Sequence, residues 1–269
     1  MKVLGAAEIA AFVEQGFCLL PGAFDGEAAR EACGVVWRRM AEKRGIREDD
    51  PATWPAAYDI EEHLDHSAVR ATFTDRLAAG IEELVGPGRW TGFRNWGLWP
   101  VNFYYGRAET SLIPTTGWHI DGNWFTHTLD CPRQGLLVIG LFTDVAAGGG
   151  GTVVAVGSHR RTARMLAAHP EGLTHRALFD LVLAEPLEEF VELTGAAGDV
   201  VLAHPFLFHT RGYKRKGPPR VISNTEAPLR APLCFARPDG AYSPLEESVR
   251  AALTEEPKPP SSGAIRCRF

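Results

Sequence analysis

Hydrophobic positions recur along this chain with two periods, a helical one at the start and a shorter one from the middle onward. Between residues 6 and 15, Ile9, Ala10, Phe12 and Val13 stand at helical spacing, which predicts an amphipathic helix. Gly16 ends it, and Phe17-Cys18-Leu19-Leu20 reads as a short buried strand closed by Pro21-Gly22. Asp25 is placed to cap a second helix running to about Lys43, with Val35, Val36, Trp37 and Met40 on its inner side. Residues 44 to 65 mix Pro51 and Pro55 with Trp54 and Tyr58 and read as an irregular surface segment, part of a lid. A third helix is predicted over 74 to 85, from a Thr74 cap to Gly86.

After Pro87-Gly88 the pattern becomes a series of short apolar or alternating runs cut by Gly and Pro. Strands are predicted at Leu98–Tyr105, Gly135–Asp144, Thr152–Val156, Leu187–Leu193, Asp199–His204 and Arg220–Ala227. Helices are predicted at Arg161–Ala168, Leu173–Leu183 and Pro244–Leu253, followed by a Pro/Ser-rich end expected to be loosely ordered. Many short strands with frequent turns point to a sandwich or barrel. The expected organisation is a single domain over 1–269. Residues 1–89 are helical and pack on the barrel, 90–230 form the core, and 231–269 form a C-terminal extension.

Composition narrows the function classes. Of 269 residues, 45% are hydrophobic and 23% charged, the balance of a soluble globular chain. The net charge of −5 argues against nucleic acid as a partner, because neutralising phosphates takes clustered cations. Cys18, Cys33, Cys131, Cys234 and Cys267 are odd in number and scattered, which fits reduced thiols in a cytoplasmic protein. Glu8 and Glu14 interrupt the apolar N-terminus, so it reads as a helix and not a signal peptide. No apolar run is long enough to span a membrane.

The chemistry centres on Trp118-His119-Ile120-Asp121-Gly122. In an extended backbone His119 and Asp121 share a face, offering an imidazole and a carboxylate to one divalent ion. Two histidines and a carboxylate on one side of Fe(II) leave the other side open for reactants. A further imidazole is available from His204 or His209, in the run Gly198 to Thr210 that carries an apolar strand. Arg220 opens another apolar strand eleven residues after His209, and a guanidinium buried there suits a carboxylate. Taken singly, each of these has an ordinary structural explanation.

Together they resemble the phytanoyl-CoA dioxygenase-like branch of the Fe(II)/2-oxoglutarate-dependent oxygenases. "GFCLLPGAF" resembles that family's N-terminal segment and "WHIDG" its His-x-Asp element. "LFTDVAAGGGGTVVAVGSHR" resembles its strand–turn–strand ending in Gly-Ser-His, and "GDVVLAHPFLFHTRG" with Arg220 its distal histidine and cosubstrate arginine. The resemblance implies a mainly β fold with flanking helices and a double-stranded β-helix core, the jelly roll or cupin-like barrel. It implies that His119, Asp121 and His209 bind iron, that Arg220 holds the distal carboxylate of 2-oxoglutarate, and that O2 is consumed. Asn102 matches a strand position that approaches the cosubstrate, though bonding to backbone is an equal reading. His204 is expected beside the site without ligating, and His159 in a structural turn.

One departure stands out. Two residues past the distal histidine the family frequently has a small hydroxylic residue, and here stands Arg211, so Thr210 is expected to help hold the cosubstrate or Arg211 to face the substrate. Relatives that halogenate have a small residue at the carboxylate position, so Asp121 implies hydroxylation or another oxidation of an unactivated C–H bond. The substrate is expected to be a small metabolite or natural-product intermediate, with no nucleic acid and no membrane involved. Substrate residues are sought in Trp124, Phe125 and His127, in Arg211, Tyr213 and Lys214, and in Trp54 or Tyr58. Two other classes remain open: a cupin-like metal enzyme that does not use 2-oxoglutarate, and a non-catalytic jelly-roll binding module.

Overall fold

The computed structural model describes residues 1–133 and 135–254. The Pro/Ser-rich end and Cys267 therefore lie outside the described residues. Helix α1 (Ala6–Gln15) ends at Gly16 in the left-handed region and feeds β1 (Phe17–Leu20). The Asp25 carboxylate accepts from the Ala28 N–H and starts α2 (Gly26–Arg44). Thr74 caps α4 (Asp75–Val85) in the same way.

The stretch read as irregular contains regular structure. After a 3-10 turn at Pro51–Thr53 comes β2 (Ala57–Ile60), and α3 (Ser67–Arg70) follows, capped by His66. Only Ile60 of β2 is fully buried, so the strand lacks the apolar run that advertises a core position. Its partner β3 (Trp99–Asn102) is buried throughout, and pairing with it makes Ala57–Ile60 a strand.

The remaining strands are β4 (Leu137–Leu141), β5 (Thr152–Ala155), β6 (Phe190–Glu192), β7 (Val200–Ala203), β8 (His209–Arg211) and β9 (Arg220–Glu226). They form a six-stranded sheet in the order β1-β7-β4-β9-β3-β2 and a three-stranded sheet in the order β6-β5-β8, antiparallel throughout. β1 and β2 bring residues 17–20 and 57–60 into the larger sheet, so the N-terminal part supplies two of its strands as well as helices.

Alternation along the strands sorts side chains to two faces. On the larger sheet Val101, Val138, Val200, Leu202 and Val221 face outward, in one cluster with Val36, Met40, Leu77, Ile81 and Leu84 of α2 and α4. On the smaller sheet Val153 and Ala155 face outward, in one cluster with residues of α5 (Ser158–Ala167), α6 (His175–Val182) and α7 (Pro244–Thr254). Between the sheets Leu137, Ile139, Leu141, Val154, Val201 and Ile222 form the interior. This is a jelly-roll core wrapped in helix, and at about 30% helix to 19% strand the wrapping outweighs the barrel. Among the described residues no helix is long and apolar enough to cross a membrane.

The predicted strand Asp199–His204 corresponds to β7, whereas His209, in the same apolar run, opens a separate strand, β8, that the pattern did not predict. The chain leaves the larger sheet after Ala203, turns through His204–Phe208, and enters the smaller sheet at His209. Pro205 cannot donate to a ladder, and the His204 ring accepts from the Phe206 N–H, which fixes the turn.

Candidate active site

His119 and His209 face one another as an antiparallel bridge, with His119 N–H to His209 C=O at 3.0 Å and the reverse bond at 2.9 Å. His209 pairs with Val154 of the interior, so all three side chains point between the sheets. Trp118 and Ile120, one residue to either side of His119, are fully buried in the opposite cluster with α5 and α6. This alternation aims His119 and Asp121 inward together.

Asp121 Oδ1 lies 3.6 Å from His119 Nε2 and 3.7 Å from His209 Nε2. The ligand atoms of the three residues are all within 4.8 Å of one another, a group that could hold a metal ion. Both rings are held by their other nitrogen: His119 Nδ1 donates to the Gly117 carbonyl at 2.8 Å, and His209 Nδ1 to the Leu207 carbonyl at 3.1 Å. Since a carbonyl only accepts, the proton sits on Nδ1 and each Nε2 lone pair turns to the shared centre. His209 Nε2 is buried with no hydrogen-bond partner. Burial and the neighbouring His209 push the His119 ring down to about 4. Burial alone would raise the Asp121 carboxyl, but the two imidazoles beside it outweigh this and hold it at about 2. Burial would lower His209 too, yet the Asp121 carboxylate raises it overall.

The turn after Asp121 is built to hold the carboxylate. Gly122 has φ +106°, and a Cβ there would meet the Phe125 ring at 2.5 Å. The His127 Nε2–H donates to the Gly122 carbonyl at 2.9 Å, and His127 is 3% exposed. His127 is thus spent on the turn and buried from solvent. His175 donates from Nε2 to the Ile120 carbonyl at 3.0 Å and steadies the same strand.

Arg220 opens β9 across from Asn102 of β3, both facing inward. Its side chain is 1% exposed, and none of its three nitrogens has a hydrogen-bond partner among the described residues. Burial, with Arg211 nearby, pushes the guanidinium down to about 9. Asn102 donates from Nδ2 to the Gly150 and Gly212 carbonyls at 3.2 Å each, which leaves its buried Oδ1 without a partner. Backbone bonding and a buried, unpartnered acceptor in the interior therefore coexist in Asn102 among the described residues.

Other expected residues lie elsewhere. Thr210 pairs with the outward-facing Val153, and its hydroxyl donates to the Thr116 carbonyl at 3.2 Å, so it points away from the interior. Arg211, on the inward face two residues after His209, is ion-paired with Asp59 of β2 and lies over the Tyr105 ring. Tyr213 packs on Tyr105 and against Gly106. Lys214 is buried, donating to the Lys216 and Gly217 carbonyls. Trp54 joins Trp37, Phe103 and Tyr104 in an aromatic cluster, and Tyr58 packs on that same core. His204 stacks on Phe12 and sits beside His159, so it belongs to the packing under α1 and not beside the triad.

A cleft of about 610 Å³ opens over His119 and Asp121, lined also by Glu61, His63, Arg94, Asn95, Leu98, Trp124, Asn224 and Glu226. Trp124 is the one sequence-named substrate candidate on it. His63 is exposed on the cleft rim, tied by Nδ1 to the Trp96 carbonyl at 3.1 Å. Asn224 and Glu226 went unnoticed because the run Arg220–Ala227 reads as strand, and period two alone does not tell which of its faces meets a cleft. Burial, with Asp121 nearby, pushes the Glu226 carboxyl up to about 7.

A family model described as phytanoyl-CoA dioxygenase matches residues 12–215. No curated protein matches the sequence significantly. Among solved structures, the epimerase SnoN in complex with Fe3+, alpha ketoglutarate and nogalamycin RO is 19% identical, with a TM-score of 0.53 over 96% of this chain and 91% of that one. EctD from S. alaskensis, solved with 2-oxoglutarate and 5-hydroxyectoine, is 19% identical, with a TM-score of 0.51 over 83% of this chain and 76% of that one. AviO1 from Streptomyces viridochromogenes Tue57 is 18% identical, with a TM-score of 0.51 over 86% and 98%. At these identities the likeness is one of fold.

Proposed function

Because the chain belongs to the phytanoyl-CoA dioxygenase family, we propose that it is a non-haem Fe(II)- and 2-oxoglutarate-dependent oxygenase. In this reading His119, Asp121 and His209 hold Fe(II) through two Nε2 atoms and one carboxylate, a donor set suited to that ion with one side left open. Arg220 receives the distal carboxylate of 2-oxoglutarate, with the Asn102 amide close by. The reaction is oxidation of an unactivated C–H bond of a small molecule in the cleft, hydroxylation first among the outcomes.

The observation that carries the reading is the Arg220 guanidinium, fully buried with no nitrogen hydrogen-bonded among the described residues. An uncompensated buried cation is costly unless an anion joins it. A metal enzyme that does not use 2-oxoglutarate gives that cation no purpose, and neither does a binding module. Two solved proteins of the same fold are described with 2-oxoglutarate or alpha ketoglutarate bound, which supports the choice of anion.

When bound, the iron and 2-oxoglutarate supply the O2-derived oxidising power. The chain supplies position. The Nδ1–H bonds of His119 and His209 keep both rings turned to the metal, and Gly122 with His127 keeps Asp121 aimed. The interior between the sheets, built from Leu137, Val154 and Ile222, excludes water around the diacid. The unpaired thiols of Cys18, Cys33, Cys131 and Cys234 support a reducing, cytoplasmic setting.

The test is anaerobic addition of Fe(II) and 2-oxoglutarate to the protein. A visible charge-transfer band of the chelate is expected. Its absence from protein carrying a full complement of iron would remove 2-oxoglutarate from the account.

A further inference from the structure

Strand β9 carries opposite chemistry at its two ends. Residues of one parity, Arg220, Ile222, Asn224 and Glu226, share the interior face, since Arg220 pairs with the inward Asn102 and Ile222 lies in the interior cluster. Six residues of strand put the two ends roughly 20 Å apart. The Arg220 end is buried and cationic, whereas the Glu226 end opens into the cleft with His119 and Asp121.

Two of the charged groups that line the cleft, away from the His119 and Asp121 pair, are carboxylates. The Glu226 carboxylate is half-buried and takes part in no hydrogen bond or ion pair among the described residues. Glu61 adds a second carboxylate. A metal ion and Arg220 together carry three positive charges, matched by Asp121 and the two carboxylates of the diacid. The cleft then keeps Glu61 and Glu226 against Arg94. Arg94 is solvent-exposed, so water and salt screen its charge, while the half-buried Glu226 acts at lower dielectric. The apolar part of the lining is Leu98, Trp124 and Pro228, and the Trp124 ring is 63% exposed, free to cover a carbon skeleton or a cation.

We propose, on the footing of the oxygenase reading above, that the substrate is an amine, its ammonium bound by Glu226 and its carbon skeleton laid against Trp124 and Leu98. Glu226 thereby fixes which C–H bond is presented to the open side of the metal. The cleft would disfavour a carboxylate of the same shape, because the half-buried Glu226 carboxylate would repel it.

The experiment uses three ring compounds of similar size: trans-4-aminocyclohexanol, cyclohexane-1,4-diol and 4-hydroxycyclohexanecarboxylate. Affinity is measured by calorimetry on the metal-free protein and on protein loaded anaerobically with Fe(II) and 2-oxoglutarate. The amine is expected to bind about tenfold or more tightly than the diol, with the carboxylate weakest. Glu226→Gln should abolish that preference and leave the chelate band in place. Equal affinities, a tighter carboxylate whose binding is lost in Arg94→Ala, or an unchanged preference in Glu226→Gln would each overturn the proposal. The band is recorded separately, so its failure would strike the oxygenase reading while the amine preference is still read on the metal-free protein.

Discussion

His119 and His209 stand ninety positions apart in sequence, yet they exchange both backbone hydrogen bonds across a single bridge, with ring centroids 4.4 Å apart. That bridge seats the two imidazoles at the mouth of the barrel, and each ring's Nδ1–H is committed to a carbonyl two residues before it. The placement of the two imidazoles is thus set by backbone pairing. Preorganisation of this kind concentrates binding energy on the ligand atoms themselves.

Removing a ligand atom should be far more damaging than removing a neighbouring imidazole. His209→Gln and Asp121→Asn are expected to weaken Fe(II) binding by at least about a hundredfold, the upper end of what outer groups contribute. His204→Gln should keep stoichiometric iron, because His204 packs on Phe12 and His159. Iron content after anaerobic loading and desalting reads this out. Loss of iron in His204→Gln with retention in His209→Gln would mean the distal ligand is misassigned.

Gly122 lies at φ +106°, with the Phe125 ring filling the space a Cβ would need. Gly122→Ala should therefore cost about 1–3 kcal/mol of stability and displace Asp121 along with the turn. Denaturant unfolding of the metal-free protein checks the first part, and metal affinity checks the second. An alanine variant with unchanged stability and affinity would show that the turn tolerates more than its geometry suggests.

Acid should unfold the metal-free protein through its buried histidines. Burial pushes His159 down to about 3 and His127 to about 4, each neutral in the fold, and places His204 well below its ordinary value. In the unfolded chain the same rings take protons near 6.5. The unfolded state then binds more protons than the fold, so stability rises with pH across this window and is lost as pH falls from 6.5 towards 4. Each such ring changes the folding equilibrium by about tenfold per pH unit there. Urea melts at pH 7.5, 6 and 5 should show the decline, and His159→Phe should make it shallower.

Arg211 takes the place where the family frequently has a small hydroxylic residue, and its inward side chain is ion-paired with Asp59 of the edge strand β2. It lies close enough to help lower the Arg220 guanidinium, and the same field would attract an anion. Arg211→Ala should weaken 2-oxoglutarate several-fold, less than loss of Arg220, and the effect should shrink as salt rises. An affinity independent of both residue 211 and ionic strength would limit Arg211 to fastening β2.

Much of this was legible in the residues. Helix starts at Asp25 and Thr74 announced themselves through their caps, and the period-two runs gave the strands of the core. The His119–Asp121 spacing and the long interval to His209 and Arg220 gave the candidate site. What the sequence hid has definite causes. β2 is a strand because β3 pairs with it, and its own residues are half-exposed. The move from β7 to β8 looked like one apolar run because the crossing turn is itself buried. Parity misled for Thr210, which adjoins the inward-facing His209 in sequence and for that reason faces the other way. Glu226 and Asn224 could be placed on a cleft only once the segment around Leu98 was seen to run beside them, with the Asn224 N–H donating to the Leu98 carbonyl at 3.0 Å.

The central claim is that Arg220 exists to receive a carboxylate beside a metal held by His119, Asp121 and His209. Its most direct test is the affinity of 2-oxoglutarate for the metal-loaded Arg220→Ala variant, with metal content measured on the same sample. Truncating one member of a buried charge pair costs about 2–5 kcal/mol, so 2-oxoglutarate should weaken by about thirtyfold or more while metal stays stoichiometric. Unchanged 2-oxoglutarate affinity, or loss of metal and 2-oxoglutarate in equal measure, would contradict it.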